Sequence, residues 1–165
     1  MIDVNEIIRR LAGGAEGIRA LVQDVPAQQA MWSPGPETWS LHQTLEHLYN
    51  EERIDFRKHL MEMLSRPPRP WQTFDPAALV KTASCQEALQ GFLTEREASL
   101  KWLKGLESSD WNQSAQAPWG AIRAGDVLAS WAAHDYLHLR QINELLFAWN
   151  ARQSAPYSVE YAGEW

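Results

Sequence analysis

Apolar residues recur at spacings of three and four in four long stretches of the chain, the period of amphipathic helices. In the first, Asp3 to Asp24, the residues Val4, Ile8, Leu11, Ala15, Ile18 and Val22 share one face. Asp3 is placed to cap this helix, with Glu6 at capping-box spacing, and Pro26 stops it. Gly13-Gly14 and Gly17 are poor helix formers and mark a bend or a close approach by a neighbouring helix. The second helix starts at Ser40, again with capping-box spacing to Gln43. It carries Leu41, Leu45, Leu48, Phe56 and Met63 to about Ser65, where Arg66-Pro67-Pro68-Arg69-Pro70 ends it. The third begins near Ser84, with Glu87 in the reciprocal capping position, and carries Leu89, Phe92, Leu93, Leu100, Leu103 and Leu106. The fourth runs from Gly125 or Asp126 to about Asn150. No segment alternates as a strand does, and no Asn-Gly or Asp-Gly hairpin turn is present.

Four such helices bury their stripes most simply against one another, so the pattern predicts an all-α four-helix bundle spanning residues 1–165 as one domain. The connection between helices two and three is long enough to be a crossover, so an up-down-up-down order is not required. Ser154 to Trp165, with Tyr157 and Tyr161, has no period and is expected to be a tail packed on the bundle.

Composition narrows the class. Of 165 residues, 45% are apolar and 22% charged, which excludes a disordered chain. A net charge of -6 argues against nucleic acid as a partner. No apolar run is long enough to span a membrane, and the start lacks a secretory signal. The single Cys85 excludes an intrachain disulfide framework, so a reducing, cytoplasmic setting is expected. Cys85 stands at a predicted helix start, where it reads as a packing residue rather than a nucleophile. Nine tryptophans are unusual for this length. Trp131 and Trp149 share the inward sector of helix four and are expected in the core. Trp71, Trp111 and Trp119 fall in connections and are expected to line a pocket or a dimer face.

The candidate chemistry lies on helix four. His134 and His138 are four residues apart, so their rings share one helix face. At 100° per residue His138 falls inside the apolar sector of Val127, Trp131, Ile142, Leu145 and Trp149, with His134 at its edge. Burying two imidazoles is costly unless they are hydrogen-bonded or ligated, and a divalent ion such as zinc, nickel, iron or manganese answers that need. A catalytic metal site usually takes a third protein ligand. Helix two offers His42, His47 and His59. His59 sits nearest the middle of the apolar stripe, whereas His47 lies to one side and shares a face with Glu51. Periodicity leaves that choice open. There is no HExxH, no Glu-x-x-His and no nucleotide-binding glycine loop, which removes zincin, ferritin-like di-iron and nucleotide readings.

Two stretches resemble signatures of the DinB/YfiT-like metalloenzyme superfamily. Trp39-Ser40-Leu41-His42-Gln43-Thr44-Leu45-Glu46-His47-Leu48 is similar to its WSxxxxLxHL motif, and Ala133-His134-Asp135-Tyr136-Leu137-His138-Leu139-Arg140-Gln141-Ile142 to its HDxxHxxQI motif. The resemblance implies a four-helix bundle with an unusual connection order. It implies a divalent metal held by His47, His134 and His138, and a homodimer. It also implies an enzyme acting on a small molecule, either a transferase using a low-molecular-weight thiol or a hydrolase. A divalent ion lowers the pKa of a coordinated thiol or water, which suits either reaction. Glu51 is then a candidate catalytic base or partner of an imidazole N–H, a role that Asp135 or Gln141 also fits. The alternatives are a homodimeric bundle that binds metal or ligand without turnover, and a structural domain with core histidines.

Overall fold

The capping residues act as their positions suggest. In the computed structural model, which describes residues 2–73, 75–106 and 109–163, the first helix is α1, Val4–Val22. Asp3 accepts the Glu6 N–H, while the Glu6 carboxylate turns to Arg9 and Arg10. After a single turn, α2 (Ala27–Ala30), helix α3 spans Leu41–Ile54 behind a complete Ser40/Gln43 capping box. The expected second helix is not continuous. It breaks at Asp55, whose φ of -114° and ψ of -93° are non-helical, and resumes as α4, Phe56–Met63. The third bundle helix, α5, covers Cys85–Leu103, with Ser84 accepting the Glu87 N–H and Glu87 reaching Ala83. The fourth, α6, runs Ala124–Gln153.

The bundle order is not up-down-up-down. α1 packs on α5 and α6, and α3 packs on α5 and α6. Gly14 meets Asp135 and Gly17 meets Leu139, so α1 and α6 run in the same direction. Gly91 meets Tyr49 and Arg57 reaches Glu95 and Ser99, so α3/α4 and α5 also run together. Parallel neighbours need a returning connection, and residues 64–84 supply it. They pass back along the second helix, with Gln72 bonded to His59, Val80 to Asn50 and Thr82 to Glu46.

One expectation fails outright. Ser114–Ala117 (β1) and Gly120–Arg123 (β2) form an antiparallel hairpin, with Ala117 paired to Gly120. Each strand has four residues, too few to show an alternation in sequence, and the turn is Pro118-Trp119 rather than an Asn-Gly type. Gly120, at φ +134°, closes it in a conformation that side chains disfavour. Ala115 and Ile122 rest on the core.

The core is in two halves. Ile18, Leu45, Phe92 and Ile142 belong to one, and Leu11, Leu60, Leu103 and Trp131 to the other. Buried polar residues Glu52, Arg96 and Asp135 lie between them along the helices. Trp131 is core, as expected, but Trp149 is not. It is half-buried, edge-on to Trp32 at 5.4 Å between centroids and capped by Arg152. The tail does not pack through its tyrosines: Tyr157 and Tyr161 are exposed, and Trp165 lies outside the described residues.

Candidate metal centre

His134 and His138, one turn apart on α6, meet His47 of α3 across the bundle. Nε2 of His134 lies 3.1 Å from Nε2 of His138 and 3.4 Å from Nε2 of His47. Among the described residues these three form the group whose ligand atoms lie within 4.8 Å of one another. His59, favoured by the apolar stripe, is not in it. It is buried on α4, with Nδ1 2.8 Å from Asp55 Oδ1 and Nε2 2.8 Å from the Gln72 carbonyl oxygen. The break at Asp55 separates its helical segment from that of His47. His42 faces the returning segment, 2.8 Å from Thr82 Oγ1.

The chemistry of the cluster fits a cation. Three ring nitrogens point at one another, and burial first, then mutual repulsion, keeps the rings neutral. His47 is pushed down to about 4 and His134 to about 3. His138 is also lowered by burial, against the opposing effect of its bond to Gln141. The His138 Nδ1–H donates to Gln141 Oε1 at 2.8 Å, which leaves its Nε2 lone pair free. Of Asp135 and Gln141, it is Gln141 that contacts an imidazole of the cluster. Glu51 stands beside His47, with Oε1 3.8 Å from Nδ1. Burial and the neighbouring Asp55 push its carboxyl up to about 8.

Asp135 does not support an imidazole. It turns to the other side of α6 and takes two bonds from Arg96, at 2.6 and 2.8 Å. Arg96 also faces Glu52 at 3.0 Å and bonds the Leu11 carbonyl, and Glu52 accepts the Trp131 indole N–H at 2.9 Å. Those carboxylates hold Arg96 charged against the opposing effect of burial. Arg96 and Glu52 gave no sequence signal, because their meaning depends on helices distant in the chain.

A cleft of about 640 Å³ opens on His138. Trp39, Pro34, Leu145 and Ala148 form its apolar wall, and Glu37, Glu144 and Gln141 its polar part. The Trp39 ring lies 5.0 Å from that of His47, so the indole joins the cleft to the cluster. Trp71, Trp111 and Trp119 are elsewhere: Trp71 stacks on His59, Trp119 meets Trp71 edge-on, and Trp111 packs on the second half-core. Cys85 is buried at the start of α5 with its thiol pushed up to about 11 by burial, consistent with packing. No helix among the described residues is long and apolar enough to cross a membrane.

The sequence profile of the DinB superfamily matches residues 10–142. The chain belongs to the DinB superfamily. Among solved structures, this DinB chain is similar to YfiT from Bacillus subtilis, a probable metal-dependent hydrolase with an unusual four-helix bundle topology. The TM-score is 0.75 and the identity 16%, over 91% of each chain. No curated protein matches it. At that identity the likeness concerns the fold.

Proposed function

We propose that this DinB-superfamily chain is a divalent-metal-dependent enzyme that hydrolyses a small molecule bound in the cleft beside His138. The observation that carries the reading is the convergence of three imidazoles, one of which, His138, lines the cleft. His47, His134 and His138 would hold the ion through Nε2. Bound there, a divalent ion supplies Lewis acidity, which lowers the pKa of water and polarises a carbonyl or similar group. The protein's own groups do the rest. Gln141 fixes the tautomer of His138, and Trp39 offers a flat apolar wall beside His47. The Glu51 carboxyl stands next to His47, where it is able to hold or release a proton. The YfiT likeness agrees with hydrolysis.

Thiol-dependent transfer is the second reading, because a low-molecular-weight thiol is activated by such an ion as water is. The lining disfavours thiols that carry carboxylates. Glu37 and Glu144 are its charged residues, and Glu144 is paired with the exposed Arg140. The test starts with elemental analysis of untagged protein. A stoichiometric divalent ion is expected in the wild type and in His59→Ala, and none in His138→Ala. Turnover of small esters and amides without added thiol supports hydrolysis. Turnover only with thiol supports transfer. Metal-free wild-type protein, with no uptake of zinc, nickel or manganese, sinks both readings.

A further inference from the structure

A second cavity, of about 440 Å³, is lined by α3, α4 and the start of the returning segment, and shares no residue with the cleft beside His138. Its size is that of a small-molecule site. Arg53, Arg57, Lys58 and Arg69 all line it, a local reversal of sign in a chain of net charge -6. Elsewhere cations take carboxylates three or four residues away: Arg9 and Arg10 share Glu6, Arg19 takes Glu16 and Arg140 takes Glu144. In the groove only Arg57 has such a partner among the described residues, Glu95 of α5, with Ser99 beside it. Arg53 donates to the Ala78 carbonyl, which holds the guanidinium in place and leaves its charge unmatched. The Lys58 and Arg69 side chains are in no ion pair among the described residues. Glu62 also lines the groove, four residues after Lys58, a spacing that pairs charges on a helix. The two nevertheless stay apart, and Glu62 Oε2 is buried with no hydrogen-bond partner among the described residues.

The balance of charge names the ligand. Glu95 matches Arg57, and Glu62 offsets one of Arg53, Lys58 and Arg69, so two positive charges are left over. A phosphoryl group carries about -1.5 to -2 at pH 7 on three strong acceptor oxygens. Guanidinium forks and a lysine ammonium are the donors that suit it. Arg53 and Arg57 are already held by Ala78, Glu95 and Ser99, so part of the ordering that binding requires is complete before a ligand arrives. Arg69, exposed on the returning segment, and Lys58 on α4 have their donors free to close on the anion. Met61, also in the lining and exposed, offers apolar surface to an organic group. We propose that this groove is an anion site, separate from the metal centre, which takes a phosphoryl dianion, either free or as a monoester.

The experiment is calorimetric titration of untagged, full-length protein stripped of metal, so that no anion binds through an ion at the imidazoles. Ionic strength is fixed with sodium chloride, at about pH 8, where phosphate monoesters are dianions. The probes are phenyl phosphate, inorganic phosphate, dimethyl phosphate, which is a monoanion, and succinate, which carries two charges on separate groups. Phenyl phosphate or inorganic phosphate should bind once per chain, at least about tenfold more tightly than dimethyl phosphate or succinate. The tighter of the two dianions tells an ester from the free ion. Lys58→Gln and Arg69→Gln should each weaken binding by about tenfold, the loss of one charge-assisted hydrogen bond. Glu62→Gln should tighten it, because a like charge leaves the groove. Lys101→Gln, which removes an exposed cation of α5 outside the groove, should leave it within about twofold. Arg53 and Arg57 are kept intact because they hold other parts of the fold. Arg69 is exposed, so its variant carries the test if Lys58→Gln fails to fold. No saturable binding of either dianion overturns the proposal, as does binding of dimethyl phosphate or succinate that is equally tight. An equal loss in Lys101→Gln also overturns it, since the effect would then follow net charge and not the groove.

Discussion

Glu51 and Glu52 are neighbours in sequence, as are His134 and Asp135, yet each pair is divided between two polar clusters, one buried and one half-buried. Glu52 and Asp135 turn to Arg96, where cation meets carboxylates and the Trp131 N–H completes the group. Glu51 and His134 turn to a cluster of imidazole nitrogens beside an open cleft. Successive helix positions are about 100° apart, so one pair of helices feeds both. The Arg96 cluster holds the helices in register between the two half-cores. The imidazole cluster leaves its acceptors facing one another and is arranged for something that arrives from outside.

The comparison predicts opposite responses to mutation. Arg96→Ala leaves two buried carboxylates without their cation, which typically costs about 3–5 kcal/mol. Urea unfolding of the apoprotein should show this loss, whereas His138→Ala should unfold close to wild type. A loss under about 1 kcal/mol for Arg96→Ala would break the comparison, because the Arg96 cluster would then be no more structural than the imidazoles.

A pair of adjacent glycines sharpens it. A Cβ on Gly14 would stand 2.3 Å from Asp135 Oδ2, an atom already fixed by Arg96, while at Gly13 a Cβ meets nothing within 4 Å. Gly14→Ala should therefore destabilise by about 1–3 kcal/mol, as overpacking does. Gly13→Ala should stabilise by about 0.5–1 kcal/mol, through the lower flexibility of the unfolded chain. Thermal melts that move the same way for both variants would mean that Asp135 yields, and that the Arg96 cluster is not rigid.

These contrasts also show what the sequence makes legible. Asp3, Ser40 and Ser84 announce their helices because a cap is a local device, and His134 and His138 pair because four residues make one turn. Residues 64–84 read as a crossover from length alone. The hairpin at 114–123 does not, since four-residue strands are shorter than the pattern that reveals a strand. Nor does the break at Asp55, because the apolar positions of the second helix continue across it; the signal was the four-residue recurrence of polar groups from His47 to His59. Trp149 shares the inward sector of α6 yet lies beyond the end of the core, which angular position alone does not report. The choice of His47 over His59 needed the motif, because the geometry that decides it is made by the break and by Gln72.

Apoprotein stability should also depend on acid. His47 and His134 have folded values pushed down to about 4 and about 3, against about 6.5 in the unfolded chain. Between those limits the unfolded chain binds protons that the folded rings refuse. A depressed group of this kind contributes stability that is fully present above about pH 6.5 and lost as the pH falls. His59 works the other way. Its folded value is raised, because the Asp55 bond and the Gln72 carbonyl outweigh burial, so its contribution is present in acid and lost as the pH rises through that value. A single scan mixes the two, and a difference between variants separates them. Going from pH 7 to pH 5, wild type should lose about 1–2 kcal/mol more than His134→Gln, measured by urea unfolding with chelator present. His59→Gln should instead steepen the wild-type loss. If His134→Gln and wild type fall in parallel, His134 is already charged or bonded in the fold, and the imidazole cluster is as closed as that of Arg96.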